Sequence, residues 1–219
     1  MGYSPSIRLI AFDLDGTLVD RTTYIWQTLH DHFGSDPTRR EQAKADFFAG
    51  RIPYADWFAH DLVLLRERKA TRQAMLDCFA DLHPVEGAKE ILDTLAQRGY
   101  RLAVISGSLD VLLDHFFPSH PFHHVFINRL HFDESGHIQG GDATPYDLEG
   151  KARGLEELAR REGLDLSQCA FVGDNVNDLD VMRVAGLAIG INIKHPDVAA
   201  AADLVLEQGA LSRLLEIFP

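Results

Sequence analysis

The sequence predicts an α/β fold: a mostly parallel sheet with helices on both faces, and a small helical domain inserted after the first strand. Three observations carry this. Short apolar runs alternate with amphipathic helical segments through residues 83–219, the pattern of β–α crossovers that feed a parallel sheet. One more run, residues 7–12, precedes the insert and lacks polar alternation beyond Arg8, as in strands buried on both faces. Residues 22–82 hold most of the aromatic bulk (Trp26, Phe33, Phe47, Phe48, Trp57 and Phe58 among them) at helical spacings, with no good strand run.

Size and composition set the bounds. A chain of 219 residues with 46% apolar content holds one sizeable domain, or a core plus a smaller insert. The expected division is a core of residues 1–21 and 83–219 and a helical cap of residues 22–82. A net charge of -12 argues against a nucleic-acid backbone or an anionic membrane as the main partner. Small anionic substrates stay open, because a site can carry its own local positive charge. Cys78 and Cys169 lie far apart with no CxxC and read as reduced thiols of a cytoplasmic protein. No apolar run approaches the roughly 18 residues of a membrane span, and the N-terminus lacks a signal-peptide design. A monomer or homodimer is expected.

The elements follow in order. Residues 7–12 form the first strand. Within the insert, Gly34-Ser35-Asp36-Pro37 and Gly50-Arg51-Ile52-Pro53 break the helices. Residues 88–98 form an amphipathic helix closed by Gly99. Residues 101–105 form a second strand ending at Ser106-Gly107-Ser108, and 109–117 a helix. Residues 125–130 are strand-like, and 131–141, with Glu134-Ser135-Gly136, read as a hairpin excursion. Lys151 opens a helix that ends near Gly163. Residues 169–172 form a strand ending at Gly173-Asp174, and the following helix runs to Ala185-Gly186. Residues 187–191 and 203–206 complete the sheet.

Ligands of such sheets bind beyond the carboxyl ends of the strands. Three strand ends carry polar residues: Asp13 with Asp15, Ser106, and Asp174. Together with Lys151, Asn177 and Asp178 they form the candidate site. Carboxylates converging from two strand ends repel one another unless a cation or protons intervene. Oxygen-only ligands suit a hard cation such as Mg²⁺. Lys151, Ser106 and the Gly107 amide, the latter two placed at a helix start, can hold phosphate oxygens. An Asp can attack phosphorus and form an aspartyl-phosphate, and a second Asp two residues on can protonate the leaving oxygen. The strand must end near Asp13, so a loop rather than the pleat aims Asp15, and Gly16 permits close backbone approach.

DxDGT at residues 13–17, VISGS at 104–108, Lys151 and GDNVND at 173–178 resemble the four motifs of the haloacid dehalogenase (HAD) superfamily. The likeness covers almost the whole chain. It is nearest the phosphoserine-phosphatase-like branch, through PVEGAKEILDTLAQRGYRLAVISGS, then NRL, then GDNVND and AGLAIGIN. The resemblance implies a Rossmann-like core and a Mg²⁺-dependent phosphomonoesterase acting on a small phosphorylated metabolite. It implies Asp13 as nucleophile and metal ligand. Asp15 becomes the general acid/base, with its backbone carbonyl on the metal, and Asp174 the third protein ligand. Ser106, Gly107 and Lys151 hold phosphate. Asn177 makes a substrate-side contact, and Asp178 orients Lys151 or a metal-bound water. The helical cap closes over the site.

The pattern departs where specificity lies. The branch's amine-holding glutamate falls at Thr22, and its carboxylate-holding cap arginine at Asp61. Arg51, Arg66 and Arg68 are candidate substitutes. An acid opposite a substrate carboxylate is repulsive. The phosphoserine selectivity is therefore expected to be absent, and the cap aromatics suggest a leaving group larger or less polar than serine, with phosphoserine phosphatase as the alternative assignment. A phospho-accepting receiver-like module is the rival from another class; Asp15 and the long insert argue against it. The histidines at 115, 120, 123, 124, 131 and 137 read as surface or hairpin residues, not a metal site. Each cap aromatic, taken singly, reads more as core than as substrate contact.

Overall fold

The computed structural model describes residues 7–148 and 150–219; the first six residues of the expected core domain lie outside these. The chain enters at strand β1 (Leu9–Phe12) and a two-residue β2 (Val19–Asp20). Four helices follow: α1 (Ile25–Phe33), α2 (Pro37–Phe48), α3 (Tyr54–Glu67) and α4 (Arg72–Cys78). Then come β3 (His83–Pro84), α5 (Ala88–Gln97), β4 (Arg101–Leu109), α6 (Asp110–Phe116), and the hairpin of β5 (His124–Phe132) and β6 (Ile138–Asp142). The last part runs through α7 (Gly150–Glu162), β7 (Cys169–Gly173), α8 (Leu179–Val184), β8 (Leu187–Gly190), α9 (Pro196–Ala201), β9 (Leu204–Val205) and α10 (Leu214–Ile217).

Seven strands form one sheet in the order β6-β5-β4-β1-β7-β8-β9, parallel except for the antiparallel edge strand β6. Successive residues of β1 feed two cores, one on each face. Ile10 and Phe12 pack with Leu92, Leu95, Leu112 and Leu214. Leu9 and Ala11 pack with Leu155, Leu158, Val181 and Met182. This two-sided burial is why residues 7–12 carry no polar alternation. β1 is central, with β4 on one side and β7 on the other, so the chain crosses the sheet in both directions from it. That switch point opens a crevice at the carboxyl ends of the three strands.

The breaks in residues 22–82 act as expected. Gly34, at φ 62°, closes α1, and Asp36 caps α2 by accepting the Thr38 and Arg39 amides at 2.9 and 3.1 Å, with Pro37 at the first helical position. A two-residue antiparallel ladder pairs Val19 with Pro84 and Asp20 with His83, joining the two chain passages that flank the four helices. Such a short pair has too little sequence to leave a strand signature.

β4 differs from its expectation. Expected to span 101–105 and end at Ser106-Gly107-Ser108, it continues in extended form to Leu109, with a register break against β5 between Ile105 and Leu109. The helix waits until Asp110, whose carboxylate accepts the Val111 and Leu130 amides at 2.8 and 3.1 Å. Ser106 and Gly107 therefore sit in a bulged strand end, not at a helix N-terminus.

Candidate active site

Asp13 follows β1 directly, its amide still donating to the Val172 carbonyl of β7 at 2.9 Å. Its buried carboxylate ends 2.9 Å from the Lys151 ammonium. The chain then turns tightly, the amides of Leu18 and Val19 both donating to the Leu14 carbonyl. The turn aims Asp15 back over the crevice. Gly16 at its apex has φ 77°, and a Cβ there would fall 2.1 Å from Asp174 Oδ2, so conformation and space both demand glycine.

Asp15 is buried, and each of its oxygens accepts one hydrogen bond. Ile25, the first residue of α1, donates its amide to Oδ2 at 2.6 Å, and Ser108 donates its hydroxyl to Oδ1 at 2.7 Å. Burial, and then the charge of Asp13, push its pKa up to about 7 despite those bonds. The carboxylate thus caps the first helix of the insert and keeps a proton within reach near neutral pH.

Lys151, at the start of α7, is completely buried. Burial alone would strip its proton, but Asp13, Asp178 and Asp147 outweigh this and hold its pKa well above the ordinary lysine value. It donates to Asp178 Oδ1 at 2.6 Å, while Asp178 Oδ2 accepts the amides of Asp174 and Asn175 at 2.9 and 3.2 Å. Asp178 is therefore fully occupied as a brace between Lys151 and the β7 turn. Asp174 is not: Thr17 reaches its Oδ1 at 3.4 Å, and its buried Oδ2 has no hydrogen-bond partner among the described residues. Burial, Asp13 and Asp178 push the Asp174 pKa up to about 9. Oxygens of Asp13, Asp174 and Asp178 lie within 4.8 Å of one another. The sequence expectation paired Asp13 and Asp174 with Asp15; Asp178 joins the cluster in space, with its own oxygens already engaged.

The bulged end of β4 supplies hydroxyls and an amide. Ser106 Oγ accepts the Ser108 amide at 3.2 Å, which leaves its own proton to donate elsewhere. Both Ser106 and Gly107 line a cavity of about 270 Å³, as do Asp13, Asp15 and Asn177. Asn177 Oδ1 is buried there without a hydrogen-bond partner among the described residues. The expected residues thus converge on one crevice. The histidines do not: His124 pairs with Glu162, His131 with Asp142 and His137 with Asp133, each at or near the surface.

A family model for haloacid dehalogenase-like hydrolases matches residues 10–183, which span every one of these groups. The chain belongs to the haloacid dehalogenase-like hydrolase family. It is 28% identical over 214 residues to a phosphoserine phosphatase of Methanocaldococcus jannaschii, covering 95% of this chain and 96% of that one. A phosphoglycolate phosphatase of Aliivibrio fischeri is 26% identical over 221 residues, covering 92% and 93%. Among solved structures, a phospho-aspartyl intermediate analogue of phosphoserine phosphatase superposes with a TM-score of 0.74 at 26% identity, covering 98% of this chain and all of that one. A substrate-bound phosphoserine phosphatase complex gives 0.75 at 25% identity, covering 97% and 99%. The chain is accordingly a phosphoric monoester hydrolase acting on a small phosphorylated molecule.

In this hydrolase the two positions where the resemblance puts the branch's substrate-holding residues are unlike one another. Thr22 is buried against the Thr28 hydroxyl at 3.1 Å and does not line the cavity. Asp61 does line it. None of Arg51, Arg66 and Arg68 reaches the cavity; Arg51 is spent on Asp46. Arg40 of α2 lines it instead, a residue that no motif marks. Trp26, Phe48, Tyr54, Trp57 and Phe58 form the apolar wall, while Phe47 stacks behind Trp57 at 5.0 Å. Phe58 belongs at the same time to the hydrophobic core and Trp26 packs against it, so core and cavity wall are not exclusive for these rings. Packing around the cavity, not periodicity, decides which rings face it.

Asn128 of β5 is the positioning residue that sequence reasoning missed. It is fully buried. Its Nδ2 donates to the Gly107 carbonyl at 2.7 Å and to the Tyr54 hydroxyl at 2.8 Å, and its Oδ1 accepts the Thr144 amide at 2.8 Å. Trp26 Nε1 donates to the same Gly107 carbonyl at 2.9 Å. These two side chains replace the ladder partner that the bulge removes. The NRL run held the only signal. Asn128→Asp sets an acceptor against that carbonyl, and we expect a loss of about 1–3 kcal/mol of stability. Inhibition by inorganic phosphate is expected to weaken about tenfold as the Ser106–Gly107 segment loses its anchor. Thermal melts and phosphate titration of the esterase reaction check both.

Proposed function

We propose that the chain is a Mg²⁺-dependent phosphomonoesterase working through an aspartyl-phosphate on Asp13, with residues 22–82 as a cap over the site. The observation that carries the reading is the 2.9 Å ion pair of Asp13 with Lys151 beside a buried Asp15 that lines the same cavity. Asp13 attacks phosphorus, the ester P–O bond breaks, and Asp15 passes its proton to the departing alkoxide oxygen. Asp15, now a carboxylate, takes a proton from the water that attacks the aspartyl-phosphate, releasing phosphate and restoring Asp13. The Ser106 hydroxyl, the Gly107 amide and the Lys151 ammonium hold the phosphoryl oxygens throughout. Asn177 contacts the substrate side.

The donor set fits the cation. It is all oxygen, it includes the unpartnered Asp174 Oδ2, and its carboxyls resist ionisation without positive charge nearby. Asp13, Asp174 and the Asp15 backbone carbonyl would hold Mg²⁺, which supplies charge neutralisation to carboxylates and phosphate. A pH effect follows. In the metal-free protein Asp178, Asp15 and Asp174 have pKa values of about 6, 7 and 9, all above their unfolded values. Their stabilising protonation is fully present below about pH 4 and is lost as pH rises through 6 to 9. Metal-free protein is expected to melt at progressively lower temperature across that window, and added Mg²⁺ to restore more at pH 8.5 than at pH 6.5. Calorimetry with and without chelator checks it.

The aromatic wall favours a leaving group larger or less polar than serine, and Asp61 disfavours serine's carboxylate. Phosphoserine itself is the second reading, favoured by the relatives' names. Kinetics on a panel of phosphomonoesters with Mg²⁺, with Asp13→Asn as control, test both. No release above that control overturns the enzyme; equal turnover and binding of phosphoserine and aryl phosphates overturn the leaving-group preference. No helix among the described residues is long and apolar enough to cross a membrane. A cytoplasmic location, and a monomer or homodimer without nucleic acid, complete the proposal.

A further inference from the structure

Beyond the phosphate end, the cavity wall contains an unmet polar cluster. Asp61 is 4% exposed and lies one turn after Trp57 and Phe58 on the same face of α3. Its Oδ1 has no hydrogen-bond partner among the described residues. Its nearest nitrogens lie at ion-pair rather than hydrogen-bond geometry, His30 Nε2 at 3.4 Å and Arg40 Nε at 4.0 Å. Those two nitrogens are themselves buried without hydrogen-bond partners among the described residues. His30 is fixed by its other nitrogen on Ser35 Oγ at 2.8 Å and by the Trp26 ring stacked over it; Arg40 is turned by its NH1 toward Gln27. Asp61 and Arg40 both line the cavity, with His30 packed behind them, and such buried polar atoms are costly to leave unmade. This corner of the cavity is shaped for a ligand group that donates to Asp61. A hydroxyl donates there and accepts from Arg40 as well; an ammonium donates there and lies among aromatic faces.

A carboxylate fits badly. It can accept from Arg40 but cannot donate to Asp61, and it would face two carboxylates of the cavity wall, which Arg40 and Lys44 also line. Asp147, on the cavity wall beside Gly107, is the second: a Cβ on Gly107 would fall 2.0 Å from its Oδ2.

Resting on the phosphatase reading, we infer that Asp61 is the specificity-determining residue of this enzyme. It selects phosphomonoesters whose leaving alcohol carries a hydroxyl or ammonium donor and no carboxylate. Asp61 thereby reverses the preference that an arginine at this place would impose.

The test is kcat/KM of the wild-type enzyme with Mg²⁺ on five esters. O-phosphoethanolamine carries an ammonium, 1-phosphoglycerol a hydroxyl, ethyl phosphate neither, O-phosphoserine an ammonium with a carboxylate, and p-nitrophenyl phosphate reports the chemistry alone. Phosphoethanolamine or phosphoglycerol is expected to exceed both ethyl phosphate and phosphoserine by about tenfold or more. Which of the two leads tells ammonium from hydroxyl. Asp61→Leu is expected to bring that ester to within about threefold of ethyl phosphate. The wild-type ratios decide the matter by themselves should the variant fail to fold. Smaller wild-type ratios, or a preference that survives in a folded Asp61→Leu protein, overturn the inference while release from p-nitrophenyl phosphate leaves the phosphatase standing. No release from any ester above the Asp13→Asn control overturns both.

Discussion

Asp13→Asn is expected to lower Mg²⁺-dependent phosphate release on the order of 10³-fold or more, about 4 kcal/mol of barrier, on every substrate the enzyme accepts. An amide of the same shape cannot form the acyl-phosphate bond, so the loss falls on turnover. The same change is expected to stabilise the metal-free protein. Asp13 is the charge that, after burial, does most to keep Asp15 and Asp174 from ionising, and it acts on Asp178 in the same sense. Lys151 keeps its 2.6 Å bond to Asp178 when Asp13 is neutral. At pH 8 in chelator the variant should therefore melt above the wild type, by about 2–4 °C for each kcal/mol of relieved repulsion. A dead variant that is more stable than its parent marks a site where function is built at the cost of stability. A variant that is dead and less stable would make Asp13 a structural residue instead.

The machinery was legible because it is local. DxDGT, VISGS and GDNVND each place polar groups at a strand end, Lys151 opens α7, and the parallel order of β4, β1 and β7 brings those ends together. The strands could be read because burial on both faces leaves uninterrupted apolar runs such as LIAF and CAFVG. What escaped was set by long-range packing. The extension of β4 through Ser106 comes from side chains of Trp26 and Asn128 bonding the Gly107 carbonyl from two other elements, which no window of residues contains. Arg40 reaches the cavity because α2 packs against α3, whereas Arg51, Arg66 and Arg68 are equally plausible in sequence and do not reach it. The two-residue β2 and β3, and the short α9 and α10, are below the length at which a periodicity shows.

Lys151→Met is expected to have the largest effect on folding. The ammonium has no exposure and sits 2.9 Å from Asp13 and 2.6 Å from Asp178. A buried pair gains little over an apolar replacement when both partners go. Removing one partner strands the other, at a cost of about 3–5 kcal/mol. Methionine fills the methylene volume and touches the Phe171 ring that the ammonium now overlies at 5.9 Å, so the deficit reports charge rather than a cavity. It should be smallest near pH 4, where the stranded carboxyls protonate at little expense. It should grow toward pH 8, because losing Lys151 raises carboxyl pKa values already lifted by burial. Adding Asp178→Asn removes the stranded charge while keeping an acceptor for the Asp174 and Asn175 amides, and the double variant is expected to recover roughly half the lost stability. Phosphate release should stay depressed by on the order of 10²–10³ in both proteins, since neither restores a cation beside the phosphoryl oxygens. Urea unfolding at pH 5 and pH 8 separates the two roles of this lysine. A double variant no more stable than Lys151→Met would show that Asp178 is not its partner in the folded protein.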